Sequence, residues 1–338
     1  MNHLLLFLLT YTRLNRIIFV IRFVKYCVIF RYFHLIFMKE PKMALLSSVF
    51  TRHNEEVKRV WETYRAGKPI RVPFGNLTVG PRIWVLNPQL NTTGLTWKAM
   101  STNPELMFQT YLNYKYYLVH NIPHDIEMGI PEKEWLVCTE FVNVTEEAWL
   151  GNKLMYPEGQ VTATVPSFTG SRKRQVFEQG IPDTFSGIFA RVKEYNEYFV
   201  NRALNFEFHG RPVSVLPPCG ISTDGIFTVA QELRGTEFLE DMMVDESYYH
   251  ELMAFVTEAI VTKIKAWRNY LGLDARPKNG YFADDAIQFL STKTYIDKVL
   301  PYHRRYFQEL FGEGPHSIHL CGDVQRHFPI LVKDGRFL

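Results

Sequence analysis

From residue 206 onward, short apolar runs alternate with longer stretches whose apolar positions recur every three or four residues, the rhythm of successive βα units. Val213 to Leu216 reads as a strand that leaves through Pro217-Pro218-Cys219-Gly220 into a polar turn, Ser222-Thr223-Asp224-Gly225. Asp245 then stands as the N-cap of a long helix carrying Leu252, Phe255, Val256, Ala259, Ile260, Ile264, Trp267 and Leu271 at helical spacing. Gly280 to Ala283 reads as the next strand and runs into Asp284-Asp285. Ser291 caps a further helix with Tyr295, Val299, Leu300, Tyr306, Phe307 and Leu310, in which Pro301 predicts a kink. A last strand, read as buried, delivers Ile318-His319-Leu320-Cys321.

The pattern before residue 206 is less regular. Asn54 to Ala66 reads as a polar helix, followed by Gly67-Lys68-Pro69 and a strand-like run, Ile70 to Phe74. Residues 75–100, rich in Gly, Asn, Pro and Thr, read as loop. Asn103 and Pro104 mark a helix start, and the aromatic face beyond them (Phe108, Tyr111, Tyr114, Tyr117, Leu118) predicts core. Between 121 and 170 short β-like runs, Trp135 to Val137 and Val161 to Val165, are broken by Pro and Gly.

Residues 1–38 are apolar and basic, yet Arg or Lys recurs every few positions, so no uncharged run reaches the roughly 18 to 20 residues of a membrane span. Charge within the apolar part also argues against a signal peptide. The reading adopted is that translation begins at Met43 or Met38, with 1–42 an extension outside the fold and 43–338 a single domain; a membrane anchor is the alternative. The formal charge of +3 comes from that extension: it holds seven Lys/Arg against Glu40, leaving 31 basic and 34 acidic residues in the remainder. The basic excess therefore gives no reason to expect a nucleic-acid partner. Four well-separated cysteines (Cys27, Cys138, Cys219, Cys321) fit a reducing, cytoplasmic setting. Asn-x-Thr triplets at Asn76, Asn91 and Asn143 would matter only in a secreted chain.

Three predicted strand ends carry polar groups: Asp224 in its turn, Asp284 with Asp285, and His319 with Cys321. Alternation along a strand places His319 and Cys321 on one face, where imidazole and thiolate suit zinc, while Gly322 permits a sharp exit. H-x-C supplies only two ligands, and a packed histidine beside an inert cysteine is the competing reading. Because neighbouring residues point to opposite faces, one of Asp284 and Asp285 should face a cavity and the other cap a helix or bond a loop. Asp224-Gly225 is equally readable as a turn.

Gly210-Arg211-Pro212-Val213, Thr223-Asp224-Gly225, Leu233-Arg234-Gly235, Ala283-Asp284-Asp285, Leu290-Ser291, Leu300-Pro301 and His319-Leu320-Cys321-Gly322-Asp323 occur in an order that resembles the uroporphyrinogen decarboxylase superfamily. The resemblance is specific over 206–338. It implies an α/β fold, a (β/α)8 TIM barrel with its active site at the C-terminal strand ends. That superfamily holds the haem-pathway decarboxylase and cobalamin-dependent, zinc-containing methyltransferases. The decarboxylase holds its acidic tetrapyrrole with an N-terminal Met-Arg-Gln-Ala-Gly-Arg stretch, whereas here Val72 to Trp84 reads VPFGNLTVGPRIW with Arg82 alone. The methyltransferase branch is nearer, since its zinc is held by H-x-C and a later cysteine. The resemblance thus implies His319 and Cys321 as metal ligands, Asp284, Asp285 and Asp224 as cavity carboxylates, and zinc with a corrinoid methyl carrier as cofactors. A small-molecule substrate and a corrinoid protein are the implied partners. Sequence ends at Leu338, which predicts a barrel lacking its last βα unit and third ligand, with Asp284 a candidate oxygen donor in its place. Porphyrinogen decarboxylation and an inactive barrel fragment are the alternative readings.

Overall fold

Two sets of contacts organise the chain, one within residues 1–76 with 118–131, the other within 77–117 with 132–338. The computed structural model describes residues 41–75, 80–141 and 144–335. Nearly all of the predicted extension, with Cys27 and the triplet residues Asn76 and Asn143, lies outside the described residues. Asn91 is described, and its amide is a loop brace: it donates to the carbonyls of Val85 and Leu95 and accepts from the Leu95 N–H at 2.8 Å.

In the first unit the helix Pro41–Arg65 begins well before Asn54. Asn54 exchanges two hydrogen bonds with the backbone of Met128, and the Trp61 indole donates to the Asp125 carbonyl at 2.6 Å. The predicted strand Ile70 to Phe74 is irregular chain, bent at Ile70 and Arg71, with no ladder. Pro73 has no N–H to give, and Ile70, Val72 and Phe74 remain exposed, so no sheet face is there to bury them. The segment is held instead by Asp125, whose carboxylate takes both Arg71 guanidinium nitrogens and the Phe74 N–H. The Arg71 hydrogen bonds hold the Asp125 carboxyl down to about 2. A depressed carboxyl stabilises the fold above its unfolded value of about 4 and loses that contribution as pH falls through its folded value. Amide exchange in 41–75 is accordingly expected to accelerate between these limits, and Asp125→Asn to be fast already at neutral pH; equal protection in the variant would refute the brace.

Seven strands form among the described residues, all in the second unit: β1 (Trp135–Val137), β2 (Lys153–Met155), β3 (Ala163–Val165), β4 (Glu207–Phe208), β5 (Arg211–Val215), β6 (Tyr281–Ala283) and β7 (Ser317–His319). β1 pairs parallel to β5, which also takes β4 antiparallel; β2 and β3 form an antiparallel pair; β6 and β7 pair in parallel. The predicted closed barrel is not formed among the described residues. After β5 the chain meets Pro217 and Pro218, which cannot donate to a ladder, and the link onward thins to a single Ala283 N–H to the Thr223 carbonyl at 3.4 Å. The result is a mixed α/β arrangement whose parallel segments keep βα order without closing a sheet.

Helices supply most of the core. Glu246–Tyr270 buries Leu252, Val256, Ala259, Ile260, Ile264 and Trp267 as the spacing predicts, and Asp245 caps it by accepting the Tyr248 N–H. Asn103 likewise caps Pro104–Asn121 through the Leu106 N–H, and Phe108, Tyr111, Tyr114 and Leu118 are buried. Pro301 does not kink one helix; it stands in the first turn of a second, Leu300–Leu310, after Thr292–Lys298 has ended. A first-turn N–H has no intrahelical partner, so proline costs little there. Among the described residues no helix is long and apolar enough to cross a membrane.

Candidate functional site

β1 runs parallel to β5 and β6 parallel to β7, and residues just past the C-terminal ends of both pairs face one cavity of about 830 Å³. Glu140 and Phe141 follow β1, Cys219 to Asp224 follow β5, Asp285 follows β6, and His319 with Cys321 close β7. Ligand sites in parallel α/β folds collect at such strand ends.

One end of the cavity brings three donors together. The β6–β7 register sets Ala283 opposite His319, so two residues further on Asp285 reaches Cys321. The Cys321 N–H donates to Asp285 Oδ1 at 2.6 Å, and His319 Nε2 lies 3.3 Å from Cys321 Sγ. One ligand atom from each of Asp285, His319 and Cys321 lies within 4.8 Å of the others. The hydrogen bond from Asp285, with partial burial and the carboxylate charge, pushes the Cys321 thiol up. The predicted buried strand is corrected here: β7 stops at His319, Cys321 lies beyond it, and both side chains are exposed. Three residues cannot bury a face, and Gly322 with φ +78° turns the chain away at once.

Asp284 does not line the cavity. Its carboxylate is wholly buried, accepting from the N–H of Phe227 at 3.0 Å, the N–H of Thr228 at 2.9 Å and the Thr228 hydroxyl at 2.7 Å, with His303 Nε2 at 2.8 Å. It caps the helix Ile226–Arg234 across space, and Asp285 takes the outward position. The alternative weighed for this pair, one residue inward and one bonded to a helix end, thus describes the arrangement. Gly225 allows the cap: at φ +112° its ideal Cβ would stand 2.4 Å from the Ala283 carbonyl oxygen, so no side chain fits. Arg234, of the Leu233-Arg234-Gly235 motif, is likewise a brace, bonded to Asp241 at 2.7 Å and to the Phe168 carbonyl.

The other end is acidic. Asp224 lines the cavity, and burial together with the nearby Glu146 charge raises its carboxyl to about 7. Glu147 also lines it, is 2 % exposed, and has no hydrogen-bond partner at Oε2. Burial, then Asp224 and Glu146, push its carboxyl well above the ordinary range. Behind them lies a fully buried ion pair: Lys263 Nζ meets Glu146 Oε1 at 2.6 Å and donates to the Ser222 carbonyl, while Glu146 Oε2 accepts from the Thr223 hydroxyl and the Asp224 N–H. Sequence reasoning missed Glu146, Glu147 and Lys263. A signal for Lys263 was present, since it occupies an apolar position between Ala259 and Trp267. Beside Cys219, Cys138 Sγ lies at 3.1 Å, a contact between residues 81 apart that spacing could not reveal.

No family model matches the chain, and no curated protein matches it. Among solved structures it is similar to a methyltransferase from Methanosarcina mazei, with a TM-score of 0.52 and 16% identity over 83% of this chain and 74% of that one. At that identity the likeness is one of fold, and the chain carries a mixed α/β architecture resembling that methyltransferase.

Proposed function

We propose that the chain is an enzyme of methyl transfer, related to the zinc-containing, corrinoid-linked branch of the uroporphyrinogen decarboxylase superfamily as a sheet that does not close, and working in the cytoplasm. The observation that carries this is the Asp285, His319 and Cys321 cluster at a strand-end cavity. The donor set fits zinc: one carboxylate oxygen, one imidazole nitrogen and one thiol sulfur, all within 4.8 Å of one another, would hold the ion. Asp285 replaces the predicted Asp284 as oxygen donor. When bound there, zinc lowers the pKa of a thiol that joins it and favours the thiolate that accepts a methyl group.

The protein's own part is orientation. Asp285 fixes the loop of Cys321 through its backbone N–H, and the Asp284 bonds fix Asp285 in turn. The acid-rich lining supports this reading over porphyrinogen decarboxylation, since a polyanionic tetrapyrrole would meet Glu140, Glu147, Asp224, Glu232 and Asp285, with Arg82 the one Arg or Lys among the described lining residues. Purified protein is expected to carry about one zinc per chain, as a site with three protein ligands would. Cys321→Ser and Asp285→Asn are each expected to lower zinc affinity at least about tenfold, a loss expected when one ligand of such a site is weakened. Metal content unchanged in both variants, or absent from the parent, would sink the proposal.

A further inference from the structure

The cavity extends past Asp285, His319 and Cys321 to further carboxylates. Among the described residues on its lining, Glu140, Glu147, Asp224, Glu232 and Asp285 accompany one guanidinium, Arg82, while Lys263 is paired with Glu146 behind them. Buried carboxylate oxygens normally have donors, because an unmet one forfeits its hydration. Glu147 Oε2 has none, although the residue is 2 % exposed and lines the cavity. Its missing partner therefore comes from whatever enters the cavity.

Two features narrow the chemistry of that partner. It has to donate to the ionised Oε2, and it has to bring the positive charge that keeps Glu147 ionised against burial and the neighbouring Asp224 and Glu146 charges. A metal ion meets the second demand but not the site: among the described residues the only cluster of three donors within reach of one ion is Asp285 with His319 and Cys321. Phe141, Tyr281 and Phe289 also line the cavity, and aromatic rings beside carboxylates favour organic ammonium groups. A volume of about 830 Å³ is ample for a small molecule.

We infer that this cavity binds a protonated amine, its ammonium N–H groups held by Glu147 and Asp224 and its carbon skeleton lying toward Asp285, His319 and Cys321. As a statement about the substrate this rests on the methyl-transfer reading; as a statement about binding it stands without it. Binding favours the ionised carboxylates, so affinity rises as pH rises through the Asp224 range near 7. The titratable and charged groups facing Asp224 are Glu146, Glu147, Lys263, Tyr281, Asp285 and Arg82, and those facing Glu147 are Asp224, Glu146 and Glu232.

The test uses the full chain with propylammonium chloride, 1-propanol and sodium propionate as probes of one shape and three charges, followed by ligand-observed NMR. Propylammonium is expected to bind saturably, at least about tenfold tighter than 1-propanol, with propionate not saturating, as charge-assisted hydrogen bonds require. Glu147→Gln and Asp224→Asn are each expected to weaken it by about tenfold or more, and Asp224→Asn to flatten its rise between about pH 6 and 8. Should Glu147→Gln fail to fold cooperatively, Asp224→Asn, at the more accessible site, carries the test. Equal binding of amine and alcohol, or unchanged affinity in the folded variants, overturns the inference. Reading metal content beside the titration separates the two ideas: amine binding to a parent that carries no zinc leaves this inference standing and the methyl-transfer reading failed, and a zinc-carrying parent that binds no amine does the opposite.

Discussion

Replacing Lys263 by methionine is expected to lower the stability of the chain by about 3–5 kcal/mol, the cost of stranding one partner of a buried ion pair. Methionine keeps the length and the apolar stem, so packing within Glu246–Tyr270 is little changed and the loss reports charge. Lys263 and Glu146 are essentially inaccessible, at 0% and 1% side-chain exposure, and no solvent screens them. Without the ammonium, Glu146 keeps the Thr223 hydroxyl and the Asp224 N–H but has no countercharge, with Glu147 beside it. Glu146→Gln combined with Lys263→Met removes both charges and is expected to recover part of the loss, because desolvation opposes any buried pair. Urea unfolding of the two single variants and the double gives the coupling directly. A Lys263→Met variant within about 1 kcal/mol of the parent would show that the pair contributes no more than an exposed one.

Asp284→Ala should be comparably severe, again about 3–5 kcal/mol, since it strands several buried hydrogen-bond donors at once. The carboxylate ties together three places far apart in the chain: the start of the helix Ile226–Arg234, the end of β6, and His303 on the helix Leu300–Leu310. Alanine leaves two N–H groups, a hydroxyl and an imidazole nitrogen unsatisfied in a dry core, each costing about 1–3 kcal/mol before relaxation. Asp284→Asn restores one acceptor but turns N–H groups toward donors, so only partial rescue is expected. Zinc affinity measured on the folded fraction of Asp284→Asn should also fall, because Asp285 is its chain neighbour. Wild-type zinc affinity in that variant would mean that Asp285 is placed without Asp284.

The helical half of this molecule was legible because its burial follows a period. Leu252 to Trp267 and the caps Asp245, Ser291 and Asn103 all stand as their spacing predicts. Strand lengths were not legible: β6 and β7 are three residues each, and whether such runs join into a barrel depends on ladder partners that Pro217, Pro218 and Gly220 deny to the segment between them. For the candidate site, local reasoning reached His319, Cys321, Asp224 and the opposed facing of Asp284 and Asp285. It could not reach Glu147 or the Glu146–Lys263 pair, which span 117 residues of sequence and acquire meaning only from burial. Nothing local distinguishes Glu146-Glu147 from an ordinary acidic first turn of a surface helix.

The split origin of the three donors has a consequence for the order of events during folding. His319 and Cys321 are two residues apart and can meet an ion in a chain that has not yet ordered, whereas Asp285 arrives across a separation of 36 residues, once β6 and β7 have paired. Closing that loop carries an entropic cost that a two-donor half-site does nothing to offset. For the proposed zinc site, tight metal uptake and strand pairing would therefore be one event in time, and a bound ion would mark the moment at which this end of the molecule has finished folding.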